Sequence, residues 1–437
     1  MTSIPLLPAR LRVVLSLLLL AAACSRERGA STVVEFWAMG REGEMVQQLV
    51  PEFERRLPGV RVRVQQVPWS AAHEKLLTAY VGKAMPDVIQ VGNTWLPELV
   101  ALGALARLDA WMAASSVVRP EAYFAGILET NVIDGGTYGV PWYVDTRVIF
   151  YRTDVLRAAG QTTPPTTWDG WLEAMRRIRE RGAPDRYAIL LPLAEWEMPV
   201  ILALERGAGL LRDQDRYGNF QSPPFREAFR FYLDLFARDL APRAGVAQIV
   251  NLYQDFASGF FALFVSGPWS IGELERRLPA AMAERWSTAP MPGLDPARPG
   301  VSLAGGASLA VLESSPRRDL AWRWLEYLSE PAQQAAFYRS TGDLPARVGV
   351  WEEPSLRESP SARAFARQLR YLRSPPKIPE WERIASKIGE HAEAAIRARA
   401  TVDEALGALD RDVDAILAKR RWLMARAHRE AAGGPSE

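Results

Sequence analysis

The sequence predicts an α/β protein that folds as two lobes, each assembled from separate stretches of the chain. The chain has 437 residues, which is too long for one ordinary hydrophobic core and suggests two domains. Strand and helix patterns alternate near the amino end, which favours a layer with a mainly parallel sheet. Because α/β patterns return after a largely helical middle section, neither lobe is expected to be one continuous stretch.

The first α/β unit contains three predicted strands with helices between them. Apolar stretches at 32–39, 60–67 and 88–91 predict the strands, and the second alternates as a half-buried strand does. Apolar residues recur at helical spacing over 43–57 and 71–81, which predicts the intervening helices. This order is typical of a parallel sheet covered by helices.

The middle and carboxyl-terminal sections carry clear helix signals. Thr167 is a candidate N-cap for the helix that follows it. The stretch 223–240 is amphipathic, with aromatic residues recurring on one face. Residues 302–315 again indicate a strand, and Thr401 with Glu404 forms a capping-box pattern before another helix.

Composition and motifs exclude several classes of function. Hydrophobic content of 48%, with 24% charged residues, is typical of a globular protein, and a net charge of +2 gives no long-range attraction to nucleic acid. The three histidines, His73, His391 and His428, do not have metal-ligand spacing. No phosphate-binding loop, dinucleotide motif or nucleophile elbow is present. We therefore expect no metal, cofactor or nucleic acid.

The amino-terminal residues have the layout of an export signal. Arg10 and Arg12 precede an apolar run that is short for a membrane span, and the run ends in small residues before Cys24. We expect a signal peptide at 1–23 and lipid attachment at Cys24, the one cysteine of the chain, with an ordinary signal-peptidase site as the alternative. The mature protein would be extracytoplasmic and lipid-anchored, in the periplasm or at the outer face of the cell membrane.

A pair of carboxylates raises the possibility of a secreted glycosidase. Glu195 and Glu197 flank Trp196, and glycoside hydrolysis needs two acidic residues. Residues two apart cannot be given acid and nucleophile roles from sequence, and a polar loop explains them equally well. A hydrolase is therefore possible but unsupported.

Aromatic residues beside polar groups recur where predicted strands end. The set is Trp37, Trp69, Asn93, Trp95, Trp142, Tyr143, Asp145 and Trp269. Ligands collect at the carboxyl ends of parallel strands, and aromatic faces with hydrogen-bonding groups suit a sugar ring. Any one tryptophan could instead be core packing, but the recurrence favours a sugar-binding cleft.

Several segments, in their order along the chain, carry a family resemblance. They are GKAMPDVIQV (82–91), YGVPWYVDTRVIFYRTDVLRAAG (138–160), TTWDGWLEAMRRI (166–178), FASGFFALFVSGPW (256–269) and the block at 303–347. They resemble the extracellular solute-binding proteins of ABC importers, the family of the maltose-binding protein. The resemblance covers essentially the whole mature chain.

The resemblance implies a periplasmic-binding-protein type II fold with hinge crossovers between two discontinuous lobes. One lobe would contain 31–145 with 306–346, and the other 147–303 with 348–437. The residues expected to face the cleft are Trp37, Gly40, Glu42, Trp69, Asn93, Trp95, Trp142, Tyr143, Asp145, Glu195, Trp196, Trp269, Gly305, Gly306 and Arg347. Trp168 and Trp171 are expected to pack at a helix start.

The expected function is capture of a mono-, di- or oligosaccharide, without chemical turnover, by a monomer. A sugar that touches both lobes would favour the closed form, which the membrane permease of an ABC importer would recognise. A binder of glycerol phosphate or of a polyamine is the alternative within transport. A phosphate predicts a basic strand end and a polyamine predicts several acids, whereas aromatic residues dominate here.

Overall fold

Two main sheets organise the computed structural model, which describes residues 31–245, 248–249 and 251–431. The predicted signal peptide at 1–23 and the predicted lipid site, Cys24, lie outside these residues. In chain order the strands of the two sheets are β1 (Thr32–Met39), β2 (Val60–Val67), β3 (Val88–Gly92), β4 (Val140–Asp145), β5 (Val148–Arg152), β6 (Tyr187–Leu190), β7 (Phe261–Ser266), β8 (Trp286–Ala289) and β9 (Gly305–Val311).

Each main sheet contains one strand that runs against the others. The first sheet has the order β2-β1-β3-β9-β4, and β9 is antiparallel to both of its neighbours. The second has the order β8-β5-β7-β6, and β5 is antiparallel to β7 and β8. These two strands, β9 and β5, are the ones that the chain enters as it passes from one sheet to the other.

Helices connect and cover the strands. Those up to β5 are Gly40–Met45, Val50–Arg56, Trp69–Val81, Leu96–Ala101, Asp109–Ala114 and Ala125–Glu129. Those between β5 and β9 are Thr153–Ala158, Trp168–Arg181, Glu197–Glu205, Pro223–Ala237, Leu252–Ser258 and Trp269–Arg277. After β9 come Arg318–Leu328, Pro331–Thr341, Pro354–Arg357, Pro360–Gln368, Trp381–Ile396, Val402–Ile416 and Ala418–Ala431.

Three two-stranded ribbons complete the strands. They pair Val132–Ile133 with Gly136–Thr137, Leu211–Arg212 with Tyr217–Gly218, and Ser302–Leu303 with Leu372–Arg373. Within the described ranges, no helix is long and apolar enough to cross a membrane.

The local helix signals in the sequence are confirmed. The Thr167 hydroxyl accepts a hydrogen bond from the Gly170 amide at 3.3 Å, and Thr401 with Glu404 forms both bonds of a capping box. The amphipathic helix Pro223–Ala237 buries its aromatic face, which consists of Phe225, Phe229, Tyr232 and Phe236.

The helix expected over 43–57 is interrupted. It forms as Gly40–Met45 and Val50–Arg56, joined by the 3₁₀ turn Val46–Leu49. Pro51 explains the second start, because proline lacks the amide hydrogen that would continue the α-helical bonding from the preceding turn.

Two crossing segments lie side by side between the sheets. The chain leaves β4 at Asp145 and enters β5 at Val148, and it returns through Ser302–Leu303 to β9. Ser302 Oγ accepts a hydrogen bond from the Arg147 amide at 3.1 Å and donates one to the Arg147 carbonyl at 2.8 Å. The side chain of Ser302 therefore ties one crossing segment to the other.

The chain passes to the second sheet again after helix Pro331–Thr341. The Trp351 ring lies edge-on to Phe124, with centroids 5.7 Å apart, so this part still contacts a segment that precedes β4. Further on, the Gln368 side chain accepts a hydrogen bond from the Met291 amide at 2.8 Å, just after β8. The passage therefore lies between Trp351 and Gln368 and is not concentrated at one residue.

Candidate ligand-binding cleft

A cavity of about 700 Å³ opens between the two main sheets. Residues that follow the carboxyl ends of β1, β3, β4 and β7 line it, together with the start of β9. The residues predicted for the cleft that line this cavity are Glu42, Trp69, Asn93, Trp95, Tyr143, Asp145, Trp196, Trp269, Gly305 and Gly306. The sheet topology thus brings together residues that are up to 264 positions apart in the chain (from Glu42 to Gly306).

Trp142 was expected to face the cleft, but the structure places it in the core. Its side chain is 1% exposed, and its ring stacks on Phe337 with centroids 4.2 Å apart. The physical reason is strand alternation, because successive side chains of β4 point to opposite faces of the sheet. Tyr143 and Asp145 lie on the face that lines the cavity, so Trp142, which directly precedes Tyr143, points to the opposite face and enters the core.

Two more predicted residues have other contacts. Trp37 lies on β1 beneath Lys75, whose Nζ is 4.3 Å from the indole centroid. The Arg347 guanidinium donates to the carbonyls of Val117 at 2.7 Å and Ser329 at 3.2 Å. Neither Trp37 nor Arg347 lines the cavity, and Arg347 instead holds backbone segments together.

Gly40 and Glu195 lie just behind the lining residues. Gly40 has φ +48°, and a β-carbon there would come within 2.7 Å of the Trp69 ring, so this glycine leaves room for the indole. Glu195 lines a small adjoining recess with Glu197 and Tyr232. Desolvation and the nearby Glu197 carboxylate raise the pKa of Glu195 to about 7.

The structure adds lining residues that the sequence did not single out for the cleft. They include Arg41, Thr94, Arg147, Glu197, Tyr253, Glu273, Arg276, Arg277, Thr341, Asp343, Pro375 and Glu382. The signal for Arg147 was present, since it stands two residues after Asp145. The sequence contained no signal for Asp343 or Glu382, because only long-range packing brings them to the cavity.

A buried hydrogen-bond chain fixes the side of the cleft formed by the first sheet. Gln90 accepts a bond from the Met39 amide at 2.7 Å and donates to the Tyr143 hydroxyl at 3.0 Å. The Tyr143 hydroxyl in turn donates to Glu42 Oε1 at 2.8 Å. Trp69 Nε1 donates to the other oxygen of Glu42 at 3.4 Å. The carboxylate of Glu42 is therefore held in one orientation at the cavity wall.

Aromatic rings form a patch beside this chain. The rings of Trp69 and Trp95 meet edge-on with centroids 5.7 Å apart, and the His73 ring lies 5.1 Å from Trp95. His73 Nε2 is 2.7 Å from Glu98 Oε2, which orients the imidazole. Trp69 keeps 37% of its surface exposed, so an apolar ring face remains open at the cleft.

Arg147 organises the opposite wall. Its guanidinium carbon lies 4.9 Å from the centroid of the Trp269 ring. It also pairs with Asp145 and, at 3.2 Å, with Glu197. Gly267 leaves room for the indole, because a β-carbon at this position would lie 1.9 Å from the Trp269 ring. Trp269 is therefore held between a cation and a residue without a side chain.

Several carboxyl groups are crowded at the cleft. Burial raises the pKa of Asp343 well above its ordinary value, and the Glu42 carboxylate raises it further. Burial also raises the pKa of Glu42 and of Asp145, and in Asp145 the Arg147 charge opposes this effect. The described residues contain no group of three or more His, Cys, Asp or Glu side chains that could hold a metal ion.

Comparison with known proteins identifies the family. A family model for bacterial extracellular solute-binding proteins matches residues 39–335. The chain belongs to this family. Its members are the solute-binding components of ABC transporters and work outside the cytoplasm, and they are not enzymes. The glycosidase interpretation of Glu195 and Glu197 is therefore not retained.

Similar structures confirm the two-lobed fold of this solute-binding protein. The sugar-binding protein MalE from the phytopathogen Xanthomonas citri is 45% identical, with a TM-score of 0.86 over 90% of this chain and 100% of that one. The diacetylchitobiose binding protein DasA of Streptomyces coelicolor is 27% identical over 336 residues, which cover 76% of each protein. UgpB from Mycobacterium tuberculosis, solved with glycerophosphocholine, is 22% identical with a TM-score of 0.75 over 89% of this chain and 99% of that one.

Proposed function

We propose that this protein captures a mono-, di- or oligosaccharide between its lobes and delivers it to the permease of an ABC importer. The observation that carries the proposal is the composition of the cleft, in which open aromatic faces alternate with fixed hydrogen-bonding groups. Trp69 and Trp95 come from the side of the first sheet, where the buried Tyr143 holds Glu42, and Trp196 and Trp269 come from the side of the second.

This composition matches the chemistry of a sugar ring. The C–H faces of a pyranose stack on indoles, while its hydroxyl edge needs acceptors and donors in fixed directions. Glu42, Asp145 and Glu197 present such acceptors, each held by a neighbouring side chain. The names of the MalE and DasA relatives, a sugar-binding protein and a diacetylchitobiose-binding protein, support the same class of ligand.

Closure about the crossing segments would complete the site. The proposed lobes are 31–145 with 306–346 and 147–303 with 348–437, and the cavity lies between them. A sugar that touches both walls binds the closed form better than the open form and so shifts the population towards it. The permease would distinguish the two forms.

The charges of the cleft weigh against a phosphate ligand. Arg276 and Arg277 both pair with Glu273, and Arg147 pairs with two carboxylates, so these guanidinium groups are already engaged. A polyamine would suit the carboxylates, and it is therefore the control that matters most in a ligand screen.

A thermal-shift panel on the mature chain tests the proposal. The sugars are glucose, maltose, trehalose, cellobiose, lactose and N,N′-diacetylchitobiose, with spermidine and glycerol 3-phosphate as controls. A ligand present at 100 times its Kd stabilises the folded protein by about 2.7 kcal/mol and raises the midpoint. We expect at least one sugar to do so. Stabilisation by spermidine or glycerol 3-phosphate, but by no sugar, would refute the proposal.

We also propose that the exported chain is lipid-anchored through Cys24 and acts as a monomer. Metabolic labelling with palmitate in a bacterial host should label the full chain but not its Cys24→Ser variant, and only the former should remain with membranes. Equal release of both chains without label would show that the signal peptide is removed by ordinary cleavage. Light scattering of the mature protein should give the mass of one chain.

A further inference from the structure

Glu382 has an unsatisfied carboxylate oxygen at the cavity. It lies in the first turn of helix Trp381–Ile396 and lines the cleft. Its Oε1 is shielded from solvent and has no hydrogen-bond partner among the described residues. Buried carboxylate oxygens normally accept hydrogen bonds, so an oxygen of this kind in a binding cavity points to a donor on the ligand.

The neighbours of Glu382 come from the opposite wall. The side chain of Thr94, which follows β3, lies close enough to the carboxylate to favour its charged form. His73 favours the charged form as well, whereas burial and the carboxylates of Glu197 and Glu98 oppose it. The group therefore reaches across the cleft from a helix near the carboxyl end of the chain to residues that follow the first sheet.

Trp95 is an aromatic residue that lines the same cavity as Glu382. It is the residue after Thr94, so a ring bound at Trp95 has an edge in the part of the cleft that Glu382 lines. A hydroxyl on that edge can donate to Oε1, whereas a ligand without a hydroxyl there leaves the oxygen unpaired. Selectivity follows, because a buried polar group left unpaired strongly penalises the analogue that lacks its partner.

We propose that Glu382 is a specificity-determining residue whose Oε1 accepts a hydrogen bond from a hydroxyl of a neutral sugar bound beside Trp95. The inference rests on the proposed function. The bond joins the helix Trp381–Ile396 to the ligand while the ligand lies on the opposite wall, so it forms fully only in the closed protein. Glu382 thus links recognition of one hydroxyl to closure.

Isothermal titration calorimetry with the disaccharide of the panel that gives the largest thermal shift tests this assignment. The Glu382→Ala variant should raise the Kd by about 10- to 100-fold, because it removes a hydrogen bond to a charged acceptor. The Glu382→Gln variant should raise it by only about 3- to 10-fold, because the amide oxygen still accepts from a hydroxyl. Glu390→Ala is the matched control, since Glu390 is exposed on the same helix and bonds only to Ser386 and Lys387 among the described residues.

The isosteric Gln variant also separates the role of the acceptor oxygen from that of the negative charge. If the contact needed the negative charge, Glu382→Gln would weaken binding of the disaccharide as much as Glu382→Ala and would contradict the assignment. The Gln variant preserves the shape of the side chain and remains informative if the Ala variant does not fold.

Two further outcomes would overturn the assignment. If wild-type protein binds the disaccharide and Glu382→Ala binds it with the same Kd, the carboxylate does not touch the sugar, although the proposed function stands. If Thr94→Val raises the Kd as much as Glu382→Ala, the two residues act as a contact between the walls rather than through the ligand. Absence of sugar binding by the wild type would instead refute the proposed function itself.

Discussion

The Arg147 guanidinium lies over the Trp269 indole, with 4.9 Å between its carbon and the ring centroid, while it pairs with Asp145 and Glu197. Asp145 ends β4 of the first sheet, and Glu197 begins a helix that follows β6 of the second. One side chain in a crossing segment therefore holds an aromatic face and two carboxylates that come from both sides of the cleft.

We expect Arg147→Ala to weaken sugar binding by at least tenfold and to lower the free energy of unfolding by about 2–4 kcal/mol. The loss of stability follows because two poorly solvated carboxylates lose their cation. Calorimetric titration and urea unfolding measure the two effects. Arg147→Lys should recover part of the stability through its charge but less of the affinity, because an ammonium cannot reproduce the planar fork and its stacking. Full affinity in Arg147→Ala would contradict this role.

Trp142 and Trp269 should behave as opposites when they are changed to alanine. Trp142 is buried on Phe337, so Trp142→Ala should lower the free energy of unfolding by about 3–5 kcal/mol and leave the affinity of the folded protein unchanged. Trp269→Ala should weaken sugar binding by about 1 kcal/mol or more, with a smaller loss of stability. Chemical unfolding and titration of both variants test the pair. Loss of affinity in Trp142→Ala at full folding would restore the interpretation of Trp142 as a cleft residue.

Gly267→Ala should weaken binding by moving an indole. The added methyl would lie 1.9 Å from the Trp269 ring, and the ring must shift because the contact is with the aromatic system itself. We expect a rise in Kd comparable to that of Trp269→Ala. The control is Gly349→Ala, where the structure shows open space around the new carbon. Unchanged affinity in Gly267→Ala would show that the position of Trp269 does not matter for the sugar.

The helices and strands were predictable because their signals are local, whereas the two-lobed fold with its crossovers was predicted from the family resemblance. The alternation of residues 60–67, the cap at Thr167 and the capping box at Thr401 depend only on neighbours in the chain. The ends of parallel strands meet at one edge, so the aromatic residues after β2 and β3 could also be placed at a common cleft.

The remaining cleft residues depend on information that a short motif does not contain. Trp142 and Tyr143 are adjacent, and only the pleat of β4 decides that Tyr143 lines the cavity while Trp142 enters the core. Asp343 follows the helix Pro331–Thr341, and Glu382 lies in the helix Trp381–Ile396. Only the packing of these helices against the rest of the protein brings the two residues to the cavity. Arg347 was predicted for the cleft, but its guanidinium donates to the backbone carbonyls of Val117 and Ser329 instead.

The buried Asp343 should make the ligand-free protein less stable as the pH rises. The folded protein raises the pKa of this carboxyl well above the ordinary value of 3.8, chiefly through burial and then through Glu42. The native state thus holds the proton more tightly than the unfolded chain does. The stability that Asp343 contributes is fully present below about pH 3.8 and is lost as the pH rises through the folded pKa.

Asp343→Asn removes this titration, and urea unfolding at pH 5 and pH 8 measures the consequence. The variant minus wild-type difference in free energy of unfolding should increase from pH 5 to pH 8, by about 1.4 kcal/mol for each pKa unit of the shift that falls within this interval. The other charged groups that act on Asp343 are Glu42 and Asp145, which raise its pKa, and Arg41, which lowers it. Asp185→Asn, at an exposed position, reports the effect of removing a surface charge. A difference that stays constant between the two pH values would show that Asp343 titrates alike in the folded and unfolded chains.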